Sequence, residues 1–226
     1  MKQSLAGKLL RAFVGSRGAI VAPLASGWQR ERRLIKETRS KTQLLLTDPA
    51  ALHLLACARA ASRLPGVFAE AGVFRGGSAR LICEEKGDGD IHLFDVFETL
   101  QDRSTTPSAE QVRAHFGSVH GCETQVRELL AGYANVHFHT GVFPESARGL
   151  QDDLRFSFVH LDMDLVAPTL AALEFFHPRL VPGGIVLVDD YCDRFLKSCV
   201  DEWFAGRAET LIELPWSQAM AIRQGG

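Results

Sequence analysis

Two hydrophobic periods take turns along this chain. Short apolar runs of strand length, "VFAEAGV" (67–73), "DIHLFDVF" (90–97), "NVHFH" (135–139), "LRFSFVHLD" (154–162) and "GGIVLVDD" (183–190), are separated by stretches with apolar residues at helical spacing. The helical stretches include "TDPAALHLLACARAAS" (47–62), "APTLAALEFFHPRL" (167–180) and "RFLKSCVDEWFAG" (194–206). Thr47 or Asp48 is placed to cap the first of these, with Pro49 at its first turn. Alternating strands and helices predict an α/β fold: a doubly wound, mostly parallel seven-stranded sheet with both faces covered. The last two strands, "ETLIEL" and "QAMAIRQ", are separated only by "PWS", too short for a crossover. They are expected to form an antiparallel C-terminal hairpin.

Residues 1–47 are read as an N-terminal arm that turns helical, and 48–226 as the main domain. The polar stretch 99–133, which carries Pro107, His115 and His120, is the expected lid. The chain has 226 residues, of which 46% are hydrophobic, enough for one well-buried domain. A net charge of −2 gives no electrostatic reason to expect nucleic acid. Five scattered cysteines without a CxxC pair read as free thiols of a reducing compartment. The run "AIVAPLASG" is too short to span a membrane, and Arg11 and Arg17 interrupt any signal-like core, so a cytoplasmic location is expected. The apolar residues of 9–27 lack an evident partner, which points to a homo-oligomer.

Chemistry enters at the strand ends. In open α/β sheets ligands bind beyond the carboxyl ends of the strands. There the chain collects Glu70, Asp95, Asp162, Asp189 and Asp190. Ionised carboxylates are expensive to bury unpaired, so this rim calls for cationic partners. In "EAGVFRGGS" (70–78) the glycines Gly72, Gly76 and Gly77 follow a strand and open a helix. The spacing is not GxGxxG, and Glu70 would repel a pyrophosphate. Asp95, ending the second strand, can accept both hydroxyls of a ribose. A positively charged nucleoside without phosphates satisfies both acids, and S-adenosyl-L-methionine is that molecule. Asp162 lies 27 and 28 residues before Asp189 and Asp190, one strand–helix–strand unit apart, so the three should share one rim. Such a set suits a hard divalent cation, Mg2+. Asp164 is expected to start the following helix rather than join them. His160, two residues before Asp162, either orients that carboxylate or is a satisfied core histidine. The "DMD" at 162–164 also leaves open a metal-dependent nucleotide-sugar glycosyltransferase, and the fold alone leaves open a non-catalytic protein.

Taken together, "FAEAGVFRGGSA", "HLFDVFETL", "HLDMDLVAPTLAALEFFHPRLVPGGIVLVDDY" and "SQAMAI" resemble the macrocin O-methyltransferase (TylF/MycF/NovP-like) family, in order from about residue 66 to the end. The resemblance implies a class I methyltransferase fold and S-adenosylmethionine- and Mg2+-dependent methylation of a small-molecule hydroxyl, as on the sugar of a natural product. It also implies Asp162, Asp189 and Asp190 as metal ligands, with Asp162 as general base. Glu70, Gly72 and Asp95 would contact the cofactor, and Arg75, Gly76, Gly77, Ser78 and Phe97 beside them complete the expected cofactor site. Val166 stands where the family has an aromatic residue.

Overall fold

The computed structural model describes residues 26–98 and 122–225. Seven strands form one sheet: β1 (Val67–Ala71), β2 (Ile91–Asp95), β3 (Val136–Thr140), β4 (Phe156–Leu161), β5 (Leu180–Val188), β6 (Ile212–Glu213) and β7 (Ala219–Ile222). Their order is β3-β2-β1-β4-β5-β7-β6. The first five are parallel, while β7 runs antiparallel to β5 and pairs antiparallel with β6, as the short "PWS" connection requires. The described helices are α1 (Gln29–Lys41), α2 (Asp48–Ala61), α3 (Gly77–Cys83), α4 (Cys122–Leu130), α5 (Val166–Phe176) and α6 (Arg194–Phe204). Thr47 caps α2, its hydroxyl accepting from the Ala50 amide at 3.3 Å.

Period-two alternation sends neighbouring strand residues into different cores. Phe68, Leu93, Phe158 and Leu187 pack under α2, α3 and α4. Ala69, Phe94, Val159 and Val188 pack under α5 and α6. Every residue of β4 is buried, so its apolar run is continuous rather than alternating. All five cysteines are free thiols. Among the described residues no helix is long and apolar enough to cross a membrane.

Two expected boundaries move. The chain divides into compact units Met1–Arg33 and Leu34–Gly226 rather than at residue 47. The physical reason is that Leu34, Ile35, Leu44 and Leu46 are buried in the core of the second unit. The expected lid 99–133 is also shortened: its end forms α4, whose Cys122, Val126 and Leu130 are core residues. Residues 99–121, with His115 and His120, lie outside the described residues, as does most of the 9–27 stretch on which the oligomer expectation rests.

On the β2–β3 edge His92 bonds His139 (Nδ1 to Nε2, 2.8 Å) and stacks on His137 with ring centroids 4.8 Å apart. Burial, then the charges of His139 and His137, push His92 down to about 4, with Asp90 opposing them. A base with a depressed folded pKa leaves the unfolded chain binding more protons, so its stability contribution is lost as pH falls from 6.5 through about 4. Thermal unfolding is expected to show that loss across this window, and His92→Gln should flatten it.

Candidate active site

A cavity of about 1230 Å³ opens at the carboxyl ends of β1, β2, β4 and β5, where the strand order reverses. Its wall includes Gly72, Gly77, Ser78, Asp95, Phe97, Asp162, Asp189 and Asp190. Most of the sequence-predicted site therefore converges. The turn glycines are required chiefly by chain packing. Gly72, at φ +89°, would place a Cβ 1.7 Å from the Asp162 carbonyl oxygen. Gly77 would place one 2.8 Å from the Gln43 carbonyl, and Gly76, at φ +75°, one 2.9 Å from Val126 Cγ1. Gly76 and Arg75 are not part of the cavity wall. The Arg75 guanidinium reaches outward to Gln125 Oε1 at 3.4 Å.

Asp95 organises the turn between β1 and α3. Its Oδ2 accepts from the amides of Val73 (2.6 Å) and Phe74 (2.7 Å), and its Oδ1 from that of Phe97 (2.7 Å). A carboxylate has about four lone-pair sites, so one remains for a ligand. Phe97, nearly fully buried, packs on Phe138 with centroids 5.9 Å apart.

Glu70 departs from expectation. It is fully buried, is not part of the cavity wall, and shares a hydrogen bond of 2.8 Å with His160 Nδ1. The parallel register sets Glu70 beside His160 on the same sheet face, pointing into the interior instead of at a ligand. Among the described residues His160 Nε2 and Glu70 Oε2 have no hydrogen-bond partner.

At the tips of β4 and β5 the acids fall into two sets whose donor atoms lie within 4.8 Å of one another. One is Asp162, Asp164 and Asp190; the other is His160, Asp162 and Asp189. The expected trio of Asp162, Asp189 and Asp190 is thus divided, with Asp162 common to both sets. Asp164 joins, contrary to its expected role as the start of α5. That helix is preceded by Leu165, and the left-handed φ of +58° at Asp164 turns its carboxyl back toward Asp190 (φ +53°). Asp residues tolerate this conformation better than most, and such strain concentrates at functional sites. Nor does Asp190 cap the next helix; Asp193 does, accepting from Phe195 and Leu196. Ser217 Oγ donates to Asp189 Oδ1 at 3.0 Å.

Burial and the neighbouring acids raise three of these carboxyls, Asp162, Asp164 and Asp189, above the ordinary aspartate value. Asp162 is raised well above its ordinary value by burial and then by Asp189, Asp164, Asp190 and Glu70. Asp164 is raised to about 9 by burial, its hydrogen bond to Asp190 and the surrounding acids. Asp189 is raised chiefly by burial, and then by Asp190. Among the described residues no lysine or arginine pairs with Asp162, Asp164, Asp189 or Asp190. A divalent cation fits this donor set because it supplies the charge that the protein withholds.

The sign of the pH effect follows. With folded pKa values above the unfolded 3.8, the folded state binds more protons, so stability is lost as pH rises from the unfolded range toward about 9. In chelator the melting temperature should fall with rising pH over this window. Added Mg2+ should raise it more at about pH 8 than at about pH 6.

The cavity wall also contains Gln43–Thr47, which sequence reasoning had assigned to the arm; only the apolar "QLLL" hinted at burial. Likewise "DMD" was the available sign that Asp164 belongs with Asp162.

The geometry agrees with comparisons to known proteins. The chain is 31% identical over 156 residues to the 8-demethyl-8-(2,3-dimethoxy-alpha-L-rhamnosyl)-tetracenomycin-C 4'-O-methyltransferase of Streptomyces olivaceus, covering 63% of this chain and 59% of that protein. It is 26% identical over 168 residues to the mycinamicin III 3''-O-methyltransferase of Micromonospora griseorubida, covering 67% and 66%. The chain thus spans under two thirds of the length of either relative. In fold it resembles the O-methyltransferase NovP (TM-score 0.67, 22% identity, 77% of this chain and 79% of that one). It also resembles the calicheamicin methyltransferase CalS11 (TM-score 0.65, 21% identity, 89% and 94%). The macrocin-O-methyltransferase (TylF) pattern matches residues 50–219, the stretch that carries the Gly72–Ser78 turn, Asp95 and the aspartate cluster, and the chain belongs to that family.

Proposed function

We propose that this protein transfers a methyl group from S-adenosyl-L-methionine to a hydroxyl of a small molecule, a sugar-bearing natural product, with a divalent cation, Mg2+, at the aspartate cluster. The observation that carries this reading is the meeting, on one cavity wall, of the Asp95-organised turn and four aspartates that have no basic partner among the described residues. Relatives named for O-methylation, one of a rhamnosyl-bearing compound, support the acceptor class.

In this reading Asp162, Asp164 and Asp190 hold the cation, with Asp189 behind them fixed by Ser217. A bound divalent cation supplies Lewis acidity that favours the alkoxide form of a hydroxyl. S-adenosylmethionine supplies the methyl group on a cationic sulfur. The rest falls to the chain. Asp162, ionised once a cation offsets its burial and its acidic neighbours, accepts the proton that the hydroxyl gives up. Asp95 keeps a lone-pair site for a ribose hydroxyl, and the Gly72–Ser78 turn brings backbone close to the cofactor. Phe97, Phe143 and Leu165 are buried apolar residues of the cavity wall that exclude water, favouring a step in which opposite charges cancel. Because positioning contributes much of the rate, the rigidity that Asp95 gives the turn matters as much as its charge.

Calorimetric titration of S-adenosylmethionine into the metal-loaded chain tests the reading. Micromolar binding, without a response to UDP and Mn2+, is expected. A response to UDP and Mn2+ with no cofactor binding would reverse the assignment toward sugar transfer.

A further inference from the structure

The inner set of donors differs in kind from the outer one. Asp162, Asp164 and Asp190 offer only oxygen, whereas His160, Asp162 and Asp189 offer one imidazole nitrogen and two carboxylates. His160 is fully buried, and Asp189 is 7% exposed. Nδ1 of His160 is engaged by Glu70 at 2.8 Å, while Nε2 has no partner. A buried polar atom without a partner is costly, so its persistence calls for a ligand. Glu70, itself buried and outside the cavity wall, fixes the tautomer. As a carboxylate it accepts a hydrogen bond from Nδ1–H, which leaves a lone pair on Nε2. Carboxylate, imidazole and ion in line is the usual way a protein orients a metal-binding histidine.

From this we infer that His160 Nε2, Asp162 and Asp189 form a second cation seat, one that takes first-row transition ions, Mn2+ among them, in preference to Mg2+. Nitrogen donors favour later first-row ions, while Mg2+ keeps to oxygen. The inference rests on the reading of the aspartate cluster as a cation site and adds to it a seat with a different preference. Because Asp162 belongs to both sets, an ion in the inner seat competes with one in the outer seat for that carboxylate. Metal identity would thereby set where the catalytic base is held.

The test is pulsed electron paramagnetic resonance of the full chain, stripped with chelator and given one equivalent of Mn2+. A 14N modulation from one coordinated imidazole is expected in the unaltered protein and should vanish in His160→Gln. Glu70→Gln should keep the modulation but weaken Mn2+ binding about tenfold to a hundredfold. Bound Mn2+ without 14N modulation, or modulation that persists in His160→Gln, would overturn the inner seat and leave the carboxylate cation site standing. No Mn2+ binding at all would overturn both. The measurement on the unaltered chain stands even if a variant fails to fold.

Discussion

Asp162→Asn is expected to lower turnover by about a hundredfold to ten-thousandfold while leaving S-adenosylmethionine affinity within about twofold. The side chain of Asp162 is where the two donor sets meet, and it is also the proposed proton acceptor. An amide keeps the volume and one oxygen but cannot take a proton at neutral pH. The turn proposed for the cofactor is held by Asp95 through the amides of Val73 and Phe74, neither of which bonds the Asp162 carboxyl. Steady-state kinetics beside calorimetry separates the two effects. Near-unaltered turnover in Asp162→Asn would remove Asp162 from the role of base. Equal loss of cofactor binding would mean that the substitution acts through the fold.

Gly72→Ala should be still more damaging, though by another route. A Cβ there would sit 1.7 Å from the Asp162 carbonyl oxygen, on a residue already at φ +89°. Both partners are backbone at the tips of adjacent central strands, and Gly72 N itself bonds the Phe94 carbonyl at 2.9 Å. No side chain can swing away to relieve the clash, so either β1 or β4 must move. Loss of at least about 4 kcal/mol of stability is expected, in the range reserved for clashes and strain in a packed core. Denaturant unfolding checks it, and a loss below about 1 kcal/mol would show that the strand tips separate easily. In contrast, Gly132→Ala, with nothing within 4 Å of the added carbon, should be close to neutral.

The strand order and the position of the rim were legible because burial on both faces writes parallel strands as continuous apolar runs. "FSFVHL" became β4 with every residue buried. Acids directly after such runs had to emerge at one edge, which is why Asp95, Asp162, Asp189 and Asp190 came together. What remained hidden depended on contacts between distant segments. Period two gives Glu70 a face, but only the register with β4 shows that this face meets His160 in the interior. The inclusion of Asp164 turns on one backbone angle that no spacing rule supplies. Residues 34–47 read as an arm because the polar run from Lys36 to Gln43 separates their apolar residues, although Leu34, Ile35, Leu44 and Leu46 are the ones that pack.

The contact between Gly72 and the Asp162 carbonyl has a bearing on how this fold can diversify. It joins the turn proposed for the cofactor directly to the peptide that carries the proposed base, with no compliant side chain between them. Changes that reshape the pocket from that side would disturb both functions at once, so variation there is closed to gradual exploration. The exposed rim is different: Leu45 and Val142, 47% and 64% exposed, border the cavity with room to change size. A laboratory search for new acceptors should begin at those two positions, where a substitution can alter what enters without altering what reacts.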